Sequence, residues 1–331
     1  MDGGHQMEEQ MNNLKIISMD TIETEEIKWL WYPYIPYGKL TIVQGDPGDG
    51  KTTFMLKLAS KLSNGKCFGD SEVEANREPI NVIYQTAEDG LADTVKPRLE
   101  TAGADCSRIL VIDDTEQSLT MQDSRLEQAL EQTGAKLLIL DPIQAYLGEN
   151  VDINRANETR DVTKRLAALA SKMGCAIVLI GHMNKGSNSK AAYRGIGSID
   201  FFAIARSVLL VARVPDQPSV RAVAQIKNNL AQEGDVVAFQ LANGTFEWLG
   251  DYDISVEELL GGYSSISKTQ KAEELLERML SSKVTVPVQE IFEEGKRLGI
   301  SKRTIENTKH VLGVKSVRVG AIWHWSLKSE E

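Results

Sequence analysis

The stretch GDPGDGKTT, residues 45–53, constrains the fold of this chain more than any other part of the sequence. It fits the pattern GxxxxGK[ST], follows an apolar run typical of a strand, and opens a run typical of a helix. Glycines let the backbone N–H groups of such a loop turn inward around phosphate oxygens, and the helix dipole adds to the attraction. We expect Lys51 to reach the β- and γ-phosphates and the Thr52 hydroxyl to bind Mg²⁺. The stretch predicts a nucleoside triphosphate site formed by Gly45, Asp46, Pro47, Gly48, Asp49, Gly50, Lys51, Thr52 and Thr53.

Short apolar runs that predict strands alternate with amphipathic runs that predict helices over most of the chain. The predicted strands are 39–43, 80–84, 108–113, 136–141 and 175–181, and the predicted helices are 51–66, 91–103, 124–135 and 158–174. Residues 207–214, 221–227 and 236–249 are more typical of antiparallel hairpins. Pro33 and Pro36 exclude a helix from the aromatic segment before the first of these strands, which we expect to be extended. The order predicts an α/β fold whose mostly parallel sheet is covered by helices on both faces.

Composition excludes several classes of protein. The chain has 331 residues, enough for one large and one small domain. No run approaches the ~20 apolar residues that cross a bilayer, so we expect no membrane partner. The net charge of −10 restricts nucleic-acid binding to local basic patches. Cys67, Cys106 and Cys175 lack metal-ligand spacing and predict reduced thiols in the cytoplasm.

Local composition also predicts the domain boundaries. Residues 1–20 are mostly polar and acidic and are expected to form a disordered lead. Glycine and serine residues at 261–268 predict a linker. We therefore expect a nucleotide-binding domain over 21–260 and a small domain over 269–329.

A phosphate loop needs a carboxylate at the end of a neighbouring strand to hold the metal-bound water, and two residues qualify. Asp113 and Asp141 each follow an apolar run, and periodicity does not separate them. Asp141 is favoured because Pro142 ends its strand at once, which leaves the carboxylate at the edge where ligands bind. Glu88, just past another strand, is a candidate for orienting water, although an acidic residue there also serves as a helix N-cap.

These features together resemble the RecA-type ATPase superfamily and, more narrowly, the RepA-like hexameric helicase ATPases of plasmids and phages. The resemblance covers roughly residues 20–250 and is carried by WLWYPYIPYGKLTIVQGDPGDGKTT, YQTAEDG, LLILDPIQAYLG, IGHMNK, RGIGSIDFFAIARSVLLV and IKNNL. It implies a RecA-like core that uses ATP and Mg²⁺ and assembles into a homo-oligomer, as a hexameric ring with the nucleotide between subunits.

The resemblance also implies roles for individual residues. It makes Glu88 the carboxylate that activates water, Asp141 the one that holds Mg²⁺, and His182 a sensor of the γ-phosphate. It implies that Arg206, ranked first, or Lys227 acts in trans on the nucleotide of a neighbouring subunit. The sequence departs from related ring helicases at position 229, where asparagine stands in place of a second basic residue.

Two basic segments are candidates for binding DNA. The first follows His182 and is rich in glycine; its cations Lys185, Lys190 and Arg194 predict a mostly electrostatic grip on single-stranded DNA by the 183–200 loop. A solvated connection and a lid over a small substrate are the alternatives for this loop.

The second segment lies in the small domain, where three helices and two short strands predict a winged helix-turn-helix. Its excess of basic residues on the third helix and wing predicts backbone contact with duplex DNA through Lys302, Arg303 and Lys309. The alternative is a winged helix that docks proteins.

The leading functional prediction is an ATP-hydrolysing, DNA-stimulated motor, a RepA-like DNA helicase of phage or plasmid replication. One alternative is an ATP-gated DNA-binding regulator or replication initiator that does not unwind DNA. Another is a RecA- or RadA-like recombination ATPase that forms filaments along DNA.

Overall fold

The computed structural model of the protein describes residues 16–69, 77–148, 156–182, 199–215, 217–242, 244–263, 268–281 and 285–327. The strands in these ranges are β1 (Trp29–Trp31), β2 (Ile35–Pro36), β3 (Leu40–Gly45), β4 (Val82–Thr86), β5 (Ile109–Leu110), β6 (Leu137–Asp141), β7 (Ala176–His182), β8 (Ser207–Val214), β9 (Gln217–Asn228), β10 (Val237–Ala242), β11 (Thr245–Asp251), β12 (Val286–Pro287), β13 (Lys315–Val319) and β14 (Ile322–Ser326). The α-helices are α1 (Lys51–Ser63), α2 (Lys96–Ala102), α3 (Ser124–Thr133), α4 (Ala156–Met173), α5 (Ile199–Ile204), α6 (Val256–Tyr263), α7 (Lys268–Ser281), α8 (Val288–Arg297) and α9 (Lys302–Val311).

The large sheet within the described residues has nine strands in the order β11-β10-β9-β8-β3-β7-β6-β4-β5. Strand β3 lies at its centre and runs parallel to both of its neighbours, β7 and β8. The pairs from β8 across to β5 are parallel, whereas β8 to β11 pair in antiparallel fashion. Because parallel strands end at the same edge, the residues that follow β3, β4, β6 and β7 lie close together.

Apolar side chains on each face of this sheet form a separate core. One core contains Phe54 and Leu58 of α1, and the other contains Leu126 of α3 and Leu166 of α4. Strands buried on both faces require apolar residues at nearly every position, which explains their continuous apolar runs. The predicted α/β fold, with a mostly parallel sheet covered on both faces, is confirmed.

Strand β5 is shorter than the predicted strand over 108–113, because after Leu110 hydrogen bonds to side chains take the place of backbone hydrogen bonds between strands. The backbone N–H of Ile112 donates to Oε1 of Gln85 at 2.7 Å rather than to a strand carbonyl. Asp113 is exposed, and its Oδ1 accepts from the N–H of Thr115 at 3.1 Å and from its hydroxyl. The strand therefore ends at Leu110, and Asp113 belongs to a turn.

The aromatic segment before β3 contains extended strands, in agreement with the prediction, and these form a short antiparallel pair, β1 with β2. Its rings pack into the core, where Trp31 stacks on Tyr34 with ring centroids 4.1 Å apart. The predicted disordered lead falls mostly in residues 1–15, outside the described residues.

Helix α6 was not predicted, and it extends into the proposed linker. Ser255 and Glu258 form a capping box: the Ser255 N–H donates to Glu258 Oε2 at 2.9 Å, and the Glu258 N–H donates to Ser255 Oγ at 3.1 Å. The helix continues through Gly261 and Gly262 to Tyr263, and α7 begins at Lys268. Within the linker predicted over 261–268, residues 261–263 and 268 are therefore helical, and 264–267 lie outside the described residues.

The C-terminal unit contains α7, α8 and α9 and a three-stranded antiparallel sheet in the order β12-β14-β13. Its own core includes Leu275, Ile291, Ile305 and Trp325. Gly295 is small where helices cross, since a Cβ there would lie 2.3 Å from Cδ1 of Ile305. The helices and the final strand pair occur in the predicted order, β12 adds a strand, and the winged-helix assignment stays a prediction.

Candidate functional site

The phosphate loop connects β3 to α1 at the carboxyl edge of the sheet, and its glycines are required by its shape. Gly48 and Gly50 have φ values of 80° and 89°, a backbone region that residues with a Cβ rarely adopt. A Cβ at Gly45 would lie 2.1 Å from the carbonyl oxygen of Val211 in the neighbouring strand β8. The loop therefore lies directly against β8, with its backbone free to surround an anion.

Lys51 lies inside this loop and is only 5% exposed. Its Nζ donates to the carbonyl oxygens of Gly45 at 3.0 Å and Asp46 at 2.9 Å, and lies 3.3 Å from Nδ1 of His182. Burial lowers the pKa of Lys51, while nearby carboxylates, led by Asp49, oppose that shift. The ammonium group thus occupies the position from which it can meet incoming phosphate oxygens, held by carbonyls of its own loop.

Asp49 holds the shape of the loop from within. Its Oδ2 accepts the N–H of Asp46 at 3.0 Å, and its Oδ1 lies 3.3 Å from Nε of Arg213 in β8. A second nitrogen of Arg213 donates to the carbonyl oxygen of Gly48 at 3.2 Å. Burial raises the pKa of Asp49, and the Asp46 hydrogen bond opposes the shift. Sequence reasoning missed Arg213, because its position depends on which strand lies beside the loop.

Asp141, at the end of β6, is 6% exposed and lies beside the start of α1. Its Oδ2 accepts hydrogen bonds from the Thr52 hydroxyl at 2.7 Å and from the Tyr84 hydroxyl at 3.0 Å. Burial raises the pKa of Asp141, and these two hydrogen bonds act in the opposite direction. The structure thus brings Asp141 to Thr52, whereas the Asp113 carboxylate accepts its hydrogen bonds within its own turn.

Tyr84 was not identified from the sequence. It lies in β4 with no exposed surface, and β4 is the neighbour of β6, with Thr86 opposite Asp141 in the register. Strand alternation then directs Tyr84 and Thr86 to the same face of the sheet. That alternation would have indicated Tyr84 only once the order of the strands was known.

Glu88 and His182 lie next to each other above the loop. Glu88 is exposed just beyond β4, and its Oε1 lies 3.9 Å from Nε2 of His182, the last residue of β7. The other imidazole nitrogen faces Lys51. A carboxylate, an imidazole and an ammonium group therefore form a continuous row beside the phosphate loop.

The arrangement of these residues fits a nucleoside triphosphate with Mg²⁺. Magnesium prefers oxygen ligands, and the Thr52 hydroxyl and Asp141 carboxylate already lie side by side. The glycine backbone and Lys51 suit phosphate oxygens. A cavity of about 510 Å³ opens beside Thr53, between α2 and the turn joining β10 to β11, with Pro97, Arg98 and Phe246 among its lining residues.

Arg206 and Lys227 lie at the opposite edge of the sheet. The Arg206 N–H donates to the carbonyl oxygen of Leu40, at the amino end of β3. The six residues of β3 separate that end from the phosphate loop by roughly 20 Å. Neither cation can therefore reach the phosphate loop of its own chain. The Lys227 Nζ donates to the carbonyl oxygens of Phe202 and Ala203, whereas the Arg206 side chain is exposed.

The residues predicted to contact DNA fall into two groups. Lys185, Lys190 and Arg194 lie outside the described residues. Lys302 and Arg303 are exposed in the first turn of α9, whose N-terminus is capped by Ser301. Lys302 lies over the Phe292 ring, 5.2 Å from its centroid. Lys309 lies 4.8 Å from the centroid of Trp325 and donates to Ser316 Oγ at 2.6 Å.

Because the sequence predicts no membrane partner, no helix is expected to span a bilayer. No helix among the described residues is long and apolar enough to cross a membrane. The cytoplasmic location stays a prediction.

Comparison with known proteins gives relatives in DNA repair. The chain is 24% identical to the DNA repair protein RadA of Streptococcus pneumoniae (strain ATCC BAA-255 / R6) over 233 residues, which are 70% of this chain and 49% of that protein. It is 27% identical to RadA of Halalkalibacterium halodurans over 150 residues, 45% of this chain and 28% of that protein. The chain thus spans less than half the length of these relatives.

Solved structures of similar shape are more distant. A KaiC-like protein, PH0186 from Pyrococcus horikoshii OT3, is 19% identical, with a TM-score of 0.46 over 65% of this chain and 90% of that one. The RadB recombinase is 20% identical, with a TM-score of 0.45 over 65% of this chain and 92% of that one.

The sequence also matches a described protein family. Residues 6–188 match the AAA domain family AAA_25, and they include the phosphate loop, Glu88, Asp141 and His182. The match covers more than half of the 331 residues. The protein therefore belongs to the AAA_25 family of AAA domains.

Proposed function

We propose that this protein is an ATP-hydrolysing motor that acts on DNA as a ring of identical subunits. The observation that carries the proposal is the meeting of Lys51, Thr52 and Asp141 with Glu88 and His182 at one edge of the sheet. A phosphate-binding loop, a metal-holding pair and a carboxylate for water are the parts that hydrolysis of a triphosphate requires.

Each of these residues has a separate role in the proposed hydrolysis of ATP. Lys51 leaves the carbonyls of Gly45 and Asp46 and binds phosphate oxygens, and the loop N–H groups surround the same anion. Thr52 and Asp141 hold Mg²⁺, which neutralises charge on the phosphates when bound. Glu88 is exposed and orients the attacking water as a general base. His182 lies between Lys51 and Glu88 and couples the presence or loss of the γ-phosphate to the conformation of the loop that follows it.

The nucleotide base fits the 510 Å³ cavity beside Thr53. Its lining combines apolar surface with the guanidinium of Arg98, which suits a planar aromatic ring.

A neighbouring subunit completes the site. Arg206 lies too far from its own phosphate loop and is exposed, so we assign it as the cation that stabilises the transition state in trans. Lys227 is a weaker candidate because its ammonium group donates to two carbonyl oxygens of α5.

DNA is the proposed partner, held as a single strand by Lys185, Lys190 and Arg194 and also contacted by the C-terminal unit. The RadA relatives, which are DNA repair proteins, support this partner. They also favour a second candidate function, a RadA-like recombination ATPase. A RepA-like helicase predicts turnover stimulated by DNA and displacement of a forked strand by a closed ring, whereas the recombination ATPase predicts open filaments.

Mixing two inactive variants tests the shared site. Arg206→Ala should lower ATP turnover by about a thousandfold while leaving nucleotide affinity close to normal. Lys51→Ala subunits keep Arg206, and Arg206→Ala subunits keep Lys51. In a random mixture of equal amounts, about a quarter of the interfaces should therefore combine an intact Lys51 with an intact Arg206 and regain activity. Phosphate release from the mixture and from each variant alone is the measurement.

Assembly mass, measured on the same samples, shows whether the subunits mix. Lys227→Ala, measured in the same way, tests the weaker candidate at the same edge of the sheet. If mixed assemblies regain no turnover, or if Arg206→Ala hydrolyses ATP normally, the shared-site proposal fails.

A further inference from the structure

The hairpin of β13 and β14 has two chemically different faces. Ser316 pairs with Trp325 and Arg318 pairs with Trp323, and these two pairs lie on one face because they are two residues apart. Val319 with Ile322 lies on the other face, next to Val317. The first face carries two tryptophan rings and Arg318. The second face carries these three aliphatic residues together with Lys315, His324 and Ser326.

The aromatic face begins in the core and ends in solvent. Trp325 is 4% exposed, packs edge-on against Phe292 and lies beneath the ammonium group of Lys309. One pair further along, Trp323 is 56% exposed, with the Arg318 guanidinium 5.9 Å from its ring centroid. The protein therefore presents an open tryptophan ring flanked by positive charge.

Charge in this region favours an anionic partner. Between Ser301 and Leu327 the acidic residue is Glu306 alone, against the cations Lys302, Arg303, Lys309, Lys315 and Arg318. A flat apolar group carried on a chain of negative charges would cover the open ring and neutralise these cations. Nucleobases on a phosphate backbone have that chemistry, and stacking on an aromatic ring tolerates any base.

We propose that Trp323, with Arg318, is a stacking site for an unpaired nucleobase. The bases of an intact duplex are already stacked on each other, so an exposed ring of this kind can receive a base only from a single strand or from the end of a duplex. The inference rests on the proposed function as a DNA-binding protein. It assigns to the C-terminal unit a contact with unpaired DNA, in addition to backbone contact by α9.

Two adjacent residues provide a matched experiment. Trp323 and Ile322 are 56% and 57% exposed, and they point to opposite faces of the hairpin. In the full-length protein, Trp323→Ala should weaken binding to a labelled oligo-dT strand by about tenfold, the value of one stacked base. Trp323→Phe should retain most of the affinity, and Ile322→Ala should bind like the wild type. Fluorescence anisotropy over a range of salt concentrations gives the affinities.

The salt dependence and a second substrate separate stacking from charge. Stacking releases no counterions, so Trp323→Ala should leave the slope of log affinity against log salt unchanged. Trp323→Ala should weaken binding to a blunt duplex of equal length less than it weakens binding to the single strand. Thermal unfolding of each variant checks that the C-terminal unit stays folded.

Several results would overturn the inference. Equal affinities for Trp323→Ala and the wild type would remove this site alone, provided that the wild type binds DNA. A weakening caused by Ile322→Ala instead would assign the binding to the opposite face of the hairpin. A loss of self-association in Trp323→Ala with unchanged DNA affinity would make the ring part of a protein interface. A wild type that binds neither substrate would overturn both this inference and the proposed DNA-binding function.

Discussion

The phosphate-loop edge and the C-terminal hairpin use charge in opposite ways. At the loop, Lys51, Asp49 and Asp141 are buried, and each is held by hydrogen bonds to neighbouring groups. On the hairpin and α9, the cations lie at the surface, and several cover aromatic rings. Removing one member of a buried set leaves its partners unsatisfied, whereas an exposed cation is screened by water and salt. The first region is therefore suited to chemistry and the second to reversible contact with a polyanion.

The largest effect is expected at Lys51. Lys51→Ala should lower ATP turnover by more than about a thousandfold, because the substitution removes a buried positive charge that the proposed mechanism places against the transferred phosphate. Lys61→Ala is a matched control in the same helix, since its ammonium group lies over the Phe68 ring. Steady-state phosphate release measures both. Normal turnover in Lys51→Ala would contradict the assignment of the whole edge.

A smaller effect is expected at Tyr84. Tyr84→Phe removes one of the two hydrogen bonds to Asp141 Oδ2, which should raise the half-saturating Mg²⁺ concentration by about tenfold. The removed bond favoured the ionised carboxylate, so the pKa of Asp141 should rise and the acid limb of the pH–turnover profile should move to higher pH. Titration of turnover with Mg²⁺ at several pH values is the measurement.

Tyr34→Phe serves as its control, because the Tyr34 hydroxyl bonds the carbonyl oxygen of Asp235 in the same core. Nucleotide binding without Mg²⁺ should be unchanged in both tyrosine variants. A Tyr84→Phe protein with the Mg²⁺ requirement of the wild type would show that Thr52 alone is enough to hold the carboxylate.

The smallest effect per residue is expected on α9. Replacing Lys302, Arg303 and Lys309 together with alanine should reduce the slope of log affinity against log salt by about 0.9 for each phosphate that these cations neutralise. Lys296→Ala with Arg297→Ala, on the acidic helix α8, is the control. Affinity for duplex DNA, measured at several salt concentrations for the α9 variant and the α8 control, gives the two slopes. An unchanged slope would mean that α9 does not contact phosphates.

Local patterns were enough to predict the fold and the phosphate loop. The glycine spacing and the alternation of strands and helices are properties of neighbouring residues, so they can be identified without knowing the tertiary structure. Periodicity did not separate Asp113 from Asp141, because both follow apolar runs, and Asp141 was favoured only because Pro142 ends its strand. The Gln85 side chain, which ends β5 early, is a tertiary contact.

Contacts between strands that are distant in sequence were not predictable. Tyr84 and Arg213 approach the site only because β4 lies beside β6 and β8 lies beside β3. Helix α6 is a different case, since the capping box of Ser255 and Glu258 was present in the sequence and was overlooked.

Strand β8 has an arginine near each end. At the carboxyl end, Arg213 donates a hydrogen bond to the phosphate loop. At the amino end, Arg206 immediately precedes the strand, seven residues before Arg213 and about 23 Å away from it. A hydrogen-bonded strand in the middle of a sheet neither stretches nor bends easily, so its two ends move together. In the proposed ring, each subunit would therefore act as a stiff rod between consecutive nucleotide sites, and a shift of one loop would reach the next site without any chain of side-chain rearrangements.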